Sequence, residues 1–69
     1  MIEFHLNGKE YIQLNDLLKW AKLVSTGGEA NIRIVEGEVI VNGIVETRKR
    51  HKLREGFVVL FDSTEIVIK

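Results

Sequence analysis

The chain has 69 residues, ten Lys and Arg against ten Asp and Glu, and neither cysteine nor proline. That length supports one small core, and the lack of cysteine excludes a disulfide framework and thiolate chemistry; 45% hydrophobic with 29% charged residues excludes a disordered chain. With no basic stretch leading into an apolar run at the amino terminus, and no stretch of about 20 apolar residues, a single cytoplasmic domain over residues 1–69 is expected, without a membrane segment.

Ile2, Phe4 and Leu6 alternate with Glu3 and His5, as in a half-buried strand. Asn7-Gly8 is a two-residue turn signal leading to Glu10-Tyr11-Ile12, so an amino-terminal hairpin is predicted. Leu14, Leu17, Leu18 and Ala21 form one helical stripe, predicting a helix over roughly residues 15–24, with Asn15 or a neighbour capping its first turn. Ser25-Thr26-Gly27-Gly28 interrupts the stripe. Thr26 and Glu29 then have capping-box spacing, and a second helix is predicted from about Gly28 to Glu36, with Gly37 at its left-handed carboxyl-terminal cap.

Glu38 to Val41, turned by Asn42-Gly43 into Ile44-Val45-Glu46, reads as a second hairpin. Phe57 to Phe61 is too short and too β-branched for a helix, and Asp62-Ser63 turns it into Glu65 to Ile68. Two strands, two helices and then four strands predict an α+β domain, with two helices packed on one face of a small, mostly antiparallel sheet.

Charge is unevenly placed along this pattern. Arg48, Lys49, Arg50, Lys52 and Arg54 are half of all the bases, and no acid falls among residues 48–54. The acids are scattered elsewhere, leaving the remainder net negative.

Leu17-Leu18-Lys19, Ser25 to Ala30, Glu36 to Gly43, Glu46 to Arg50, Lys52-Leu53 and Gly56, taken in order, resemble the S-four domain, the αL-motif family named after a small-subunit ribosomal protein. The similarity is greatest to its short bacterial stand-alone members and spans about residues 14–60. It implies the αL-motif fold and a non-catalytic binder of structured RNA, most often ribosomal or transfer RNA; ribosomal RNA, on the ribosome or its precursors, is the expected partner, and the chain is expected to be a monomer. By position it implies contacts from Thr26, Gly27, Gly28, Asn31, Arg33, Arg48, Lys49, Arg50 and Lys52. Larger members often carry a basic residue at the turn before helix two. Here Gly27 and Gly28 stand there, which shifts the weight to residues 48–52.

Physical chemistry supports that emphasis. Clustered cations gain by releasing the counterions condensed on a phosphate chain, whereas protection of a sheet edge needs only one or two charges. Arginine grips phosphate through two parallel hydrogen bonds, so Arg48 and Arg50 are the expected anchors. Drawn as an extended strand, the segment puts Arg48, Arg50 and Lys52 on one face and Lys49 and His51 on the other. Gly27 and Gly28 either let a phosphate approach the helix amino terminus or permit a tight connection at positive φ. Trp20 either closes the core edge beside Leu17 and Val24 or stacks an unpaired base.

His5 and His51 are the only histidines, and neither has metal-ligand spacing to another donor, so no metal and no cofactor is expected. No nucleophile, base and orienting acid can be assembled, so no enzyme is expected either. A protein-interaction or ubiquitin-like carrier module also fits the size and zero net charge. The carboxyl end Ile66-Val67-Ile68-Lys69 lacks a carrier's terminal Gly-Gly.

Overall fold

A computed structural model describes residues 1–69. Its elements are β1 (Ile2–Phe4), β2 (Ile12–Gln13), α1 (Leu14–Trp20), α2 (Gly27–Val35), β3 (Val39–Val41), β4 (Ile44–Val45), β5 (Lys52–Leu53), β6 (Val58–Phe61) and β7 (Thr64–Ile68). Two helices pack on a mixed five-stranded sheet of order β1-β7-β6-β3-β4, beside a two-stranded sheet β2-β5. The fold is α+β as expected, with five strands after the helices instead of four.

Helix α2 follows its local signals closely. Thr26 Oγ1 accepts from the Glu29 backbone N–H at 3.1 Å, while the Glu29 carboxylate reaches back to the Ser25 N–H at 2.8 Å, one residue earlier than in a standard capping box. At the other end Gly37 takes φ +82°, and the N–H groups of Gly37 and Glu38 donate to Ile34 and Arg33, closing a Schellman motif.

Helix α1 ends at Trp20, short of the expected residue 24. Lys22 adopts φ +60°, and the N–H groups of Lys22 and Leu23 donate to Lys19 and Leu18, so α1 closes with the same motif without a glycine to announce it. The chain then turns Val24 back into the core.

The predicted amino-terminal hairpin does not form. Its turn does: Asn7 and Gly8 have φ +53° and +90°, and Lys9 N–H donates to Leu6 C=O at 3.2 Å. The flanking segments diverge, with β1 pairing parallel to β7 (Ile2 with Ile66, Phe4 with Ile68) and β2 pairing antiparallel to β5. The reason is phase. A hairpin closed at Asn7-Gly8 would set Phe4 opposite Tyr11 and Ile2 opposite Gln13, leaving Ile12 on the same face as Glu3 and His5. Parallel pairing with β7 keeps Ile2 and Phe4 in line with the buried Ile66 and Ile68.

The other two hairpins close where their turn residues signal them. Asn42 and Gly43 carry φ +51° and +83° between Val41 and Ile44, and Asp62 and Ser63 carry +49° and +64° between Phe61 and Thr64. Gly43→Val therefore strains a backbone that only glycine or asparagine adopts cheaply, although a Cβ there meets nothing within 4 Å. We expect it to cost about 2 kcal/mol and roughly 10 °C of thermal midpoint, with Gly43→Asn costing far less; equal midpoints for the two variants would refute the turn assignment.

One core of 14 buried residues, all apolar, joins α1, α2 and the inner face of the sheet. Phe61, Leu14, Leu17, Leu18 and Ile34 are among its largest fully buried members.

Candidate nucleic-acid interface

The basic segment is not the extended strand its sequence suggested. Only Lys52 and Leu53 are in β5; Arg48 to His51 form a β-turn closed by His51 N–H donating to Arg48 C=O at 3.1 Å, with Lys49 and Arg50 at its exposed tip. The turn is fastened to α1. Leu14 N–H donates to His51 C=O at 2.9 Å and Asn15 N–H to Lys49 C=O at 3.0 Å, so carbonyls of the basic turn satisfy donors that a helix leaves open at its amino terminus. No side chain caps α1, contrary to the role expected of Asn15. Asn15 Nδ2 instead donates to Asn31 Oδ1 at 3.1 Å, tying α1 to α2 beside the turn.

Glu46, not among the expected contact residues, organises the near side of this turn. Its carboxylate accepts from Arg48 Nε and Nη2 at 2.9 and 3.0 Å and from the Arg48 backbone N–H at 2.9 Å. His51 Nε2 lies 3.6 Å away. The Glu46 side chain is 12% exposed and that of Arg48 72%, so a largely buried acid aims an exposed guanidinium. The Arg48 hydrogen bonds hold the Glu46 carboxyl at about 2, well below its ordinary value, against the opposing effect of burial. The expected two-residue stagger along a strand, Glu46 and Arg48 on one face, was the available signal for this pair.

A depressed folded value stabilises the protein fully above the ordinary carboxylate range, and that contribution disappears as pH falls from about 4.5 through about 2. After discounting for the solvent around Arg48 it is on the order of 1–2 kcal/mol. Glu46→Gln should abolish that part of the acid-unfolding profile, and a profile identical to the parent's in this range would show the pair to be thermodynamically idle.

Lys49, Arg50 and Lys52 form no ion pair. Arg48, Arg50, His51, Lys52, Arg54 and Phe57 line one shallow depression. Lys52 Nζ and the Arg54 guanidinium both lie against the Tyr11 ring, 4.9 and 5.7 Å from its centroid, and Arg54 reaches Glu10 at 4.0 Å. Tyr11 and Arg54 were not among the expected site residues; only the β2-β5 pairing brings Tyr11 here.

Arg33 stands apart from this cluster. Its guanidinium bonds Glu38 at 2.6 Å and Asp62 at 3.0 and 3.2 Å, lies 3.7 Å from Glu29, and covers the Phe61 ring at 4.7 Å. Glu38 first, then Asp62, raise its already high pKa. Its donors fasten the end of α2 to the β6-β7 turn.

Gly27 and Gly28 are the first two residues of α2, not positive-φ linkers. A Cβ at Gly27 would meet nothing within 4 Å, and one at Gly28 only Thr26 Oγ1 at 3.8 Å. The fold therefore requires neither glycine. Gly27→Ala should raise stability by about 0.4–1 kcal/mol in urea unfolding; a loss would mean that the helix start is strained in a way its dihedrals do not express.

This arrangement, two helices on a mixed sheet with a basic turn fastened to the first helix, defines a class. The chain belongs to the S4 domain family, whose model matches residues 4–69. It is 44% identical over 61 residues to YbcJ of Escherichia coli (strain K12), provisionally named an RNA-binding protein, covering 88% of this chain and 87% of that one. YbcJ of Shigella flexneri, named as uncharacterised, matches to the same extent. The solution structure of E. coli YbcJ, described as having an αL motif involved in RNA binding, superposes with a TM-score of 0.75 at 40% identity, covering 99% of this chain and 86% of that one. The αL-motif fold is thus shared, and the family is one of non-enzymatic RNA-binding domains.

Proposed function

We propose that this chain is a non-catalytic RNA-binding module for structured RNA, ribosomal RNA foremost, and that it holds its partner through phosphate and shape contacts centred on the basic turn. The observation that carries the reading is the turn itself. Lys49 and Arg50 sit exposed and unpaired at the tip of a β-turn whose carbonyls are locked onto α1, so two cations are presented on a rigid mount. Lys52 stands beside them, and Arg48 offers the edge of its guanidinium that Glu46 does not occupy. Rigid presentation lowers the side-chain ordering cost of binding.

Thr26, Gly27 and Gly28 extend the surface. The N–H groups at the start of α2 and the absence of a Cβ at two successive positions let a phosphate come close to the backbone. Asn31 contributes through the Asn15 tie that holds α2 against α1. Arg33, its fork occupied by carboxylates, acts in this reading on the fold and not on RNA. Ribosomal RNA is preferred over other folded RNA because the family takes its name from a ribosomal protein and because the exposed cations are grouped for a backbone, not for base edges.

The test is a fluorescence-anisotropy titration with a folded ribosomal RNA fragment between about 50 and about 200 mM salt. Three to five phosphate contacts predict a log–log slope of roughly −2 to −4. A Glu substitution at Lys69, outside the cluster, should barely matter. A loss from it as large as from Arg50→Glu would move the interface to another face.

A further inference from the structure

The largest concavity of the molecule lies between β1, the Asn7-Gly8 turn and the start of α1, and it has no part in the reading above. Three of the chain's five aromatic residues, Phe4, Tyr11 and Trp20, wall it. Trp20 is 50% exposed; it does not close the core beside Val24 but stands edge-on to Phe4, ring centroids 4.8 Å apart at 85°. A half-exposed indole fixed by a perpendicular ring presents aromatic surface to solvent in a set orientation.

The polar side chains of the groove match that surface. Gln13 and Asp16 line it, and neither side chain has a hydrogen-bond or ion-pair partner in the fold. A carboxylate and an amide beside aromatic rings suit the amino and imino edge of a nucleobase, and Asp16 and Glu3 set two acids against the single lysine of the lining, Lys9, so the groove favours a base over a phosphate. Phosphates have a place next door. Tyr11 is the shared wall: one aspect borders the groove, and Lys52 and Arg54, which line the basic depression, lie against its ring.

We propose that this groove takes one unpaired nucleobase of the bound RNA, stacked on Trp20, with its backbone phosphates running over Tyr11 onto Lys52 and Arg54. This rests on the RNA-binding reading and adds a base-reading site to a surface otherwise built for phosphates. It confines the preferred target to folded RNA with an unpaired nucleotide next to a helix, since a base inside a duplex offers no free face.

Trp20 is the only tryptophan, so its emission reports the groove alone. The experiment titrates the full chain with two RNAs of equal length, a hairpin with an unpaired loop and a blunt duplex, following both anisotropy of the RNA and Trp20 fluorescence. We expect the hairpin to quench Trp20 and bind roughly tenfold or more tightly than the duplex, which binds without quenching. Trp20→Leu should erase that preference while leaving duplex affinity and salt slope unchanged, and Trp20→Phe, which keeps a ring against Phe4, should restore most of it. Hairpin binding that leaves Trp20 emission unchanged, or a Trp20→Leu variant that retains the preference, would overturn the stacking site alone. Failure of both RNAs to bind would overturn the underlying reading and the site with it.

Discussion

An Arg50→Ala, Lys52→Ala variant is expected to bind folded RNA roughly 10- to 100-fold more weakly at low salt, with the log–log salt slope flattened by about 1.5 and the unfolding midpoint almost unmoved. Both side chains are exposed and neither is in an ion pair, so removing them costs the fold little beyond the contact of Lys52 with Tyr11. Each lost phosphate contact removes the release of close to one counterion, which is why the slope identifies contacts and not a general change of charge. The pair is a cleaner choice than Arg48 with Arg50. Arg48→Ala leaves the Glu46 carboxylate, 12% exposed, without its main hydrogen-bond donor, and stability would fall together with affinity. If the Arg50, Lys52 variant keeps both affinity and slope, the basic turn is a solvated loop and the proposed interface is wrong.

The largest effect on stability is expected from Phe61→Ala. Phe61 is fully buried at the end of β6, pairs with Val39 on one side and Thr64 on the other, and supports the Arg33 guanidinium on its ring. Truncation should cost about 3–5 kcal/mol through lost burial and the cavity left behind. A domain this small has roughly 3–10 kcal/mol in total, so the midpoint should fall by about 15 °C or more, and part of the population should be unfolded at room temperature. Circular dichroism during heating and urea titration would measure it; a fall of under about 5 °C would mean that the core closes over the gap. Arg33→Met, which keeps an apolar cover on the ring while removing the charge, separates the two roles of that contact: a loss much smaller than that of Phe61→Ala assigns the stability to the ring.

What is local in this protein could be read without coordinates. Thr26 and Glu29 are three residues apart, Gly37 follows the last turn of α2, Asn42-Gly43 is a complete two-residue turn signal, and Asp62-Ser63 joins segments whose apolar residues are already in phase; each of these signals is complete within a few neighbours, and each formed. The concentration of cations at residues 48–54 and its resemblance to an RNA-binding family were legible for the same reason, being properties of order along the chain.

The tertiary structure decided everything that depends on a distant partner. Asn7-Gly8 made its turn, but the strands beside it went elsewhere, because Ile2 and Phe4 find matching apolar neighbours in Ile66 and Ile68, more than sixty residues away, and not in Tyr11 and Gln13. Released from that hairpin, Ile12 and Gln13 paired with Leu53 and Lys52, and this pairing carried Tyr11 to the basic side chains. The open N–H groups of α1 drew the carbonyls of Lys49 and His51 and bent the presumed strand into a turn. Arg33 and Arg48 look alike in a charge count. Packing gave Arg33 to three carboxylates and a ring, and left Arg48 aimed outward by one half-buried acid, because a charge's role depends on the partners its surroundings allow and not on its place in the chain.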